Sequence, residues 1–232
     1  MLELNQIRKE YRDGTQTITA VSLDHLTVQP GEQLALVGPS GSGKTTLLHL
    51  ISGLLTPTRG EIRLDGLTIS GLPEARRDIW RANTVGYVFQ KFNLLTSLNV
   101  LDNVVVAMSF AQVIPTADQR SWAVQLLEQV GLADKLKQYP RQLSMGEQQR
   151  VAVARAVVNK PRLILADEPT ASLDQENSAK VLDMLRRFAA ESHSILLVST
   201  HDRQVMSLFP RIHSLQQSGK EVAADAPLPS LA

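Results

Sequence analysis

The run Gly38-Pro39-Ser40-Gly41-Ser42-Gly43-Lys44-Thr45 has the residue types and spacing to hold a phosphate chain. It fits G-x-x-x-x-G-K-[ST]. Glycines let successive backbone N–H groups curl around phosphate oxygens, and a helix opening directly behind them adds partial positive charge. In that chemistry Lys44 reaches the β- and γ-phosphates and the Thr45 hydroxyl ligates Mg²⁺. The alternative is a glycine-rich turn that binds nothing, and the flanks argue against it. Leu34-Ala35-Leu36-Val37, bounded by Pro30-Gly31, predicts a short buried strand, and Thr46 to Ile51 predicts a helix ending near Gly53.

Two further stretches carry chemistry. Leu163-Ile164-Leu165-Ala166-Asp167-Glu168 is an apolar strand ending in paired carboxylates. Ligands of a parallel sheet sit beyond the carboxyl ends of its strands, so this pair and the glycine loop can share one edge. Asp167 would hold Mg²⁺, directly or through water, and Glu168 would polarise an attacking water as general base. Acidic residues also simply open helices, which is the competing explanation for the pair. Leu143-Ser144-Met145-Gly146-Glu147-Gln148-Gln149-Arg150 starts a helix, and Ser144 with Glu147 satisfies the capping-box pattern. The same helix start could face a γ-phosphate through the Ser144 hydroxyl and the Gly146 backbone. The two roles are compatible.

The elements that must position these groups follow from periodicity and turn signals. Leu2 to Ile7 and Ala20 to Val28 alternate as strands, with a turn at Tyr11-Arg12-Asp13-Gly14 between them. Glu61–Leu64 and Val85–Phe89 are further strands, the second running directly into Gln90, and Glu74–Ala82 is a helix. From about residue 96 to 159 strand signals give way to helices at Asn99–Ala111, Ala117–Val130 and Met145–Val158, as in a helical insertion. Strands return at Arg162–Ala166, Ser194–Ser199 and Arg211–Leu215, with helices at Gln175–Glu191 and Asp202–Leu208. Residues 162–166 are apolar on both faces, as in a parallel sheet covered on both sides. Residues 216–232 read as a loose tail of small and polar residues.

Composition limits the function classes. The 232 residues carry a net charge of +1, so no nucleic-acid partner is expected. There is no cysteine, which excludes disulfides, zinc-cysteine sites and thiol catalysis. No apolar run approaches the roughly 20 residues of a membrane span, and the N-terminal residues lack the apolar core of a signal peptide. The expectation is a cytoplasmic protein that meets a membrane only through a partner.

Taken together, these motifs resemble the nucleotide-binding subunit of ABC transporters. Gly38–Thr45 and Leu163–Glu168 match that family's two Walker motifs, and Leu143-Ser144-Met145-Gly146-Glu147 matches its signature. The resemblance covers about residues 1–215. It implies an α/β fold: a P-loop NTPase core with a mainly parallel sheet, an N-terminal antiparallel β subdomain and an inserted α-helical subdomain. The division it suggests is one domain, with the core at about 1–95 and 160–215 and the helical part at about 96–159. It implies that Gly38, Pro39, Ser40, Gly41, Ser42, Gly43, Lys44, Thr45 and Thr46 contact ATP, with Tyr11 stacked on the adenine. Thr45, Gln90 and Asp167 would serve Mg²⁺. Gln90, Glu168 and His201 would attend the γ-phosphate and the attacking water. Ser172-Leu173-Asp174 resembles the loop that crosses the dimer interface.

The resemblance further implies a homodimer in which Ser144, Met145, Gly146 and Glu147 of one chain close on the ATP held by the other. A polytopic membrane subunit would be the partner, reached through Gln90–Leu95 and the helical insertion at the inner face of the cell membrane. One residue departs from the pattern. The signature usually carries two glycines after its serine, and Met145 replaces the first. The nearest likeness is to lipoprotein-release, macrolide-export and cell-division (FtsE-like) subunits. A soluble ATPase of the same superfamily acting on DNA or ribosomes is the competing expectation. The near-neutral charge and single cassette count against it.

Overall fold

The computed structural model describes residues 1–13, 16–111 and 113–215. Two sheets organise the chain. The first is antiparallel, with strand order β2-β1-β4-β5: β1 Leu2–Asp13, β2 Gln16–Val28, β4 Arg59–Leu64 and β5 Leu67–Thr68. The second is parallel, with order β6-β7-β8-β3-β9: β3 Gln33–Val37, β6 Val85–Val88, β7 Leu163–Asp167, β8 Ile195–Thr200 and β9 Arg211–Ser214.

Every residue of β7 and β8 is buried, as the two-faced apolar pattern requires. Period-two alternation then sorts their side chains into two cores. Ile164, Ala166, Leu196 and Val198 face a core shared with α3 Val100–Ser109, α4 Thr116–Gln129, α5 Met145–Val157 and α6 Gln175–Glu191. Leu163, Leu165, Ile195 and Leu197 face the other, shared with α1 Lys44–Ile51 and the antiparallel sheet. The fold is thus the α/β arrangement expected, with the helices of the insertion on one face. The remaining helices are α2 Glu74–Thr84 and α7 Arg203–Met206.

Some boundaries differ from expectation. The turn predicted at Tyr11-Arg12-Asp13 is strand, because Tyr11 pairs with Ile18 and Arg12 with Thr17, and that pairing outweighs local turn chemistry. Gly14 of the predicted turn and the tail 216–232 lie outside the described residues. The β1–β2 register shifts between Lys9 and Glu10, an irregularity that period-two reading cannot see. The helix expected at Asp202–Leu208 is shorter, with the Asp202 carboxylate capping it through the Gln204 N–H at 2.8 Å. Strand β5 and a 3₁₀ turn at Pro140–Gln142 were not anticipated; both are too short for a periodic signal.

Candidate nucleotide site

The glycine loop leaves the carboxyl end of β3 and enters α1 through Gly43, which has φ 91°. A Cβ at Gly43 would lie 2.2 Å from the Ala20 carbonyl oxygen, so no larger residue fits this passage. Lys44, 7% exposed, folds back over the loop. Its Nζ donates to the carbonyl oxygens of Gly38 at 2.8 Å and Pro39 at 3.1 Å. The ammonium is therefore aimed along the concave side of the loop, where a phosphate chain would lie. Pro39, Ser40, Gly41 and Thr45 are exposed and Thr46 is half-buried. Ser42 is buried, and its Oγ has no hydrogen-bond partner.

β7 lies one strand away from β3, with β8 between them. Asp167 is its last residue and is buried. Ser199 of β8, directly opposite, donates its hydroxyl to Asp167 Oδ1 at 2.5 Å. The Glu168 N–H donates to both the hydroxyl of Ser199, at 2.9 Å, and its carbonyl, at 3.1 Å. Glu168 has φ 44°, a left-handed conformation that costs a non-glycine residue about 1–3 kcal/mol. The Ser199 bonds offset that strain and turn the carboxylate out of the sheet. Glu168 Oε1 then lies 3.9 Å from Lys44 Nζ, and Oε2 lies 2.7 Å from His201 Nδ1. The glycine-loop lysine, the strand-end carboxylate and the histidine after β8 are so brought together.

Glu168 and His201 also border a cavity of about 630 Å³, with Leu173, Ser178, Thr200 and Gln204. The glycine loop does not line it and opens instead onto the surface. Gln90 follows β6 and is exposed, and Phe89 beside it stacks on Tyr87 with ring centroids 4.2 Å apart. Tyr11 stands exposed near the end of β1, with Lys9 Nζ 5.3 Å from its ring centroid.

Ser144 caps α5 as its sequence suggested. Its Oγ accepts from the Glu147 N–H at 3.2 Å, and its own N–H donates to Glu147 Oε2 at 2.8 Å. The Ser144 N–H holds the Glu147 carboxyl below the usual carboxylate range, with Lys135 at 3.7 Å adding to the effect. Met145, next to Ser144, is 56% exposed. Gly146 is packed against α6, where a Cβ would lie 2.7 Å from Asn177 Oδ1. Asn177 is in turn held by Asp174, which accepts from its backbone N–H at 2.8 Å and its amide at 2.7 Å. Those bonds keep the Asp174 carboxyl low as well.

The donors available for a cation are all oxygens: the Asp167 carboxylate, the Thr45 hydroxyl and the Gln90 amide. Among the described residues no cluster of three or more His, Asp or Glu could hold a metal. One carboxylate, a hydroxyl and an amide suit Mg²⁺, which takes most of its ligands from water and substrate phosphates.

Sequence reasoning missed Ser199 and Asn177. Their only local signals are a serine ending a buried apolar strand and an asparagine in the first turn of a helix.

The model of the family described as ABC transporter matches residues 22–171. The lipoprotein-releasing system ATP-binding protein LolD of Psychrobacter arcticus is 42% identical over 214 residues, covering 91% of this chain and 93% of that protein. An uncharacterized ABC transporter ATP-binding protein of Bacillus subtilis, YknY, is 41% identical, with 91% of each chain covered. Among solved structures, the ATP-binding cassette MJ0796, a dimer in a post-hydrolysis state bound to ADP and Pi, superposes with a TM-score of 0.86. It is 35% identical and covers 94% of this chain and 97% of its own. With the glycine loop on the carboxyl edge of a parallel sheet, the family model matching residues 22–171 and the relatives aligned over 91% of the chain, the chain belongs to the ABC transporter family, as one of its ATP-binding cassettes.

Proposed function

We propose that the chain hydrolyses ATP as an Mg²⁺-dependent homodimer and drives a membrane complex by closing on the nucleotide and reopening. The observation that carries this reading is the Glu168 carboxylate, set between Lys44 at 3.9 Å and His201 at 2.7 Å. Lys44 and the N–H groups of Gly41–Thr46 bind the phosphates, and Tyr11 covers the adenine. Glu168 accepts a proton from the water that attacks the γ-phosphorus. His201, hydrogen-bonded to Glu168, orients that carboxylate and faces the γ-phosphate. Bound Mg²⁺, held through Thr45, Gln90 and Asp167, would neutralise phosphate charge.

Two separate anion sites support the dimer. The glycine loop and the helix start at Ser144 and Met145 are both exposed, with Gly146 buried behind them. In a head-to-tail pair, each ATP lies between the loop of one chain and Ser144, Met145, Gly146 and Glu147 of the other, with Asp174 at the interface. ATP then binds the closed state more tightly than the open one, which is what a ligand-driven switch requires. The solved cassette MJ0796 is itself dimeric. Among the described residues no helix is long and apolar enough to cross a membrane. The partner in this reading is a polytopic membrane subunit, met at the cytoplasmic face. A groove of about 530 Å³ between α2, β6, α3 and α5, lined by Leu54, Tyr87, Phe89 and Phe110, would receive its segment. The relatives named for lipoprotein release support an exporter or lipoprotein-release system.

The test is a Glu168→Gln chain with a tag, incubated with ATP and recovered from gently solubilised native membranes. The expected result is slowed hydrolysis, a stable ATP-bound dimer and a co-purified polytopic membrane protein. Hydrolysis at the wild-type rate would remove Glu168 as the base. Recovery of ribosomes or DNA-bound proteins alone would shift the reading to a soluble ATPase of the same family.

A further inference from the structure

Arg155 lies on α5, the helix that Ser144 caps, and lines the groove beside Phe89 and Asn93. The guanidinium donates from Nη1 to the Asn93 carbonyl oxygen at 2.5 Å and from Nη2 to the Phe92 carbonyl oxygen at 2.8 Å. Among the described residues it forms no ion pair, and burial lowers its pKa. An apolar side chain of similar length would fill this volume without the cost of burying a charge. What the guanidinium adds is geometric: two donors in one rigid plane, aimed at two successive carbonyls. Those carbonyls belong to the segment that follows Gln90.

The far end of that segment is fastened too. Asn103 of α3, fully buried, donates to the carbonyl oxygens of Leu95, Leu98 and Asn99, each at 3.0 Å, and accepts from the Leu95 N–H at 2.8 Å. On the other side, Phe89 is stacked on Tyr87 of the parallel sheet. Gln90 and Lys91 therefore lie between an anchorage to the sheet and an anchorage to the helices.

We propose that Arg155 is a positioning residue for Gln90: its two bonds make the segment after Gln90 a rigid extension of α5, so that Gln90, at its own chain's nucleotide, is held in register with the helix whose Ser144 turn faces the nucleotide of the other chain. This rests on the reading that Gln90 works at the Mg²⁺ and the attacking water. Arg155 itself touches neither.

The test is a double-mutant cycle on the whole chain, with steady-state ATPase rates measured across a Mg²⁺ titration. Arg155→Met is expected to lower kcat about ten- to a hundredfold, the range a misplaced group produces. The Mg²⁺ needed for half-maximal rate should rise, while Mg²⁺-free binding of a fluorescent ATP analogue stays unchanged. Because Arg155 acts through Gln90, adding Arg155→Met to Gln90→Ala should have no further effect. Wild-type kcat and Mg²⁺ dependence in Arg155→Met, or losses that multiply in the double variant, would overturn the proposal. A merely structural role would lower the melting temperature and the active fraction but leave the Mg²⁺ dependence alone. Full activity in Gln90→Ala identifies a different failure, that of the Gln90 reading, and the proposal falls with it. Should Arg155→Met not fold, Arg155→Lys, which keeps the charge but only one of the two bonds, enters the same cycle under the same criteria.

Discussion

Ser199 is the residue on which both acidic groups depend. It donates to Asp167 and accepts from the Glu168 N–H, and the latter bond offsets a left-handed backbone at Glu168. Removing the hydroxyl leaves a buried carboxylate oxygen without its donor, at a cost of about 1–3 kcal/mol. Ser199→Ala is therefore expected to fold with lowered stability and a reduced kcat, with ATP binding little changed, since Lys44 and the glycine loop are untouched. Urea denaturation and steady-state kinetics measure the two effects. Unaltered kcat would mean that the Glu168 carboxylate does not need this support. The serine was not legible as a site residue. Its partner is set by the register of β7 against β8, which pairs Asp167 with Ser199 across the sheet, and no spacing along the chain encodes that register.

At the scale of the element, the first turn of α5 joins stability to the anion site proposed there. The reciprocal cap between Ser144 and Glu147 satisfies two backbone donors, and Gly146 lets the turn lie against Asn177 of α6. The Glu147 carboxyl is held below its usual range by the Ser144 N–H. A carboxyl whose folded pKa is depressed contributes stability above its unfolded pKa and loses it as pH falls through the folded value. Glu147→Gln should therefore weaken the fold at neutral pH and matter progressively less as pH falls below about 4. Thermal unfolding of both proteins across that range is the check. Curves that keep a constant offset down to pH 2 would contradict it. The cap was legible because all its atoms lie within four consecutive residues. That Asp174 steadies the same turn through Asn177 was not, because α5 and α6 are separated by β7 and the loop after it.

The whole molecule is two cores built on one sheet. Ile164 and Leu165 are neighbours in β7 and both fully buried, yet the first faces the helical insertion and the second faces α1 and the antiparallel sheet. Truncating either leaves a cavity in a packed core, at about 2–5 kcal/mol. Ile164→Ala and Leu165→Ala should destabilise the chain to a similar degree in urea denaturation. A loss confined to one would mean that one layer closes over the gap or unfolds separately. This two-sided burial puts the ends of β3, β7 and β8 on a single rigid edge, from which the glycine loop, Glu168 and His201 all emerge.

The amino-acid order was sufficient for whatever depends on neighbours in the chain. The glycine loop, the paired carboxylates after an apolar strand, the Ser144 cap and the α/β class all rest on interactions a few residues long, and periodicity or motif spacing reports those directly. Chain folding was needed for whatever depends on which strands lie side by side. The meeting of Lys44, Glu168 and His201, the Ser199 bridge, the Asn177 contact and the Arg155 clamp join residues far apart in sequence. So does the extension of β1 through Tyr11, where cross-strand pairing with Ile18 outweighed a local turn signal. Hydrogen bonds and packing act across space, and their partners are named only once sheet order, register and helix docking are settled.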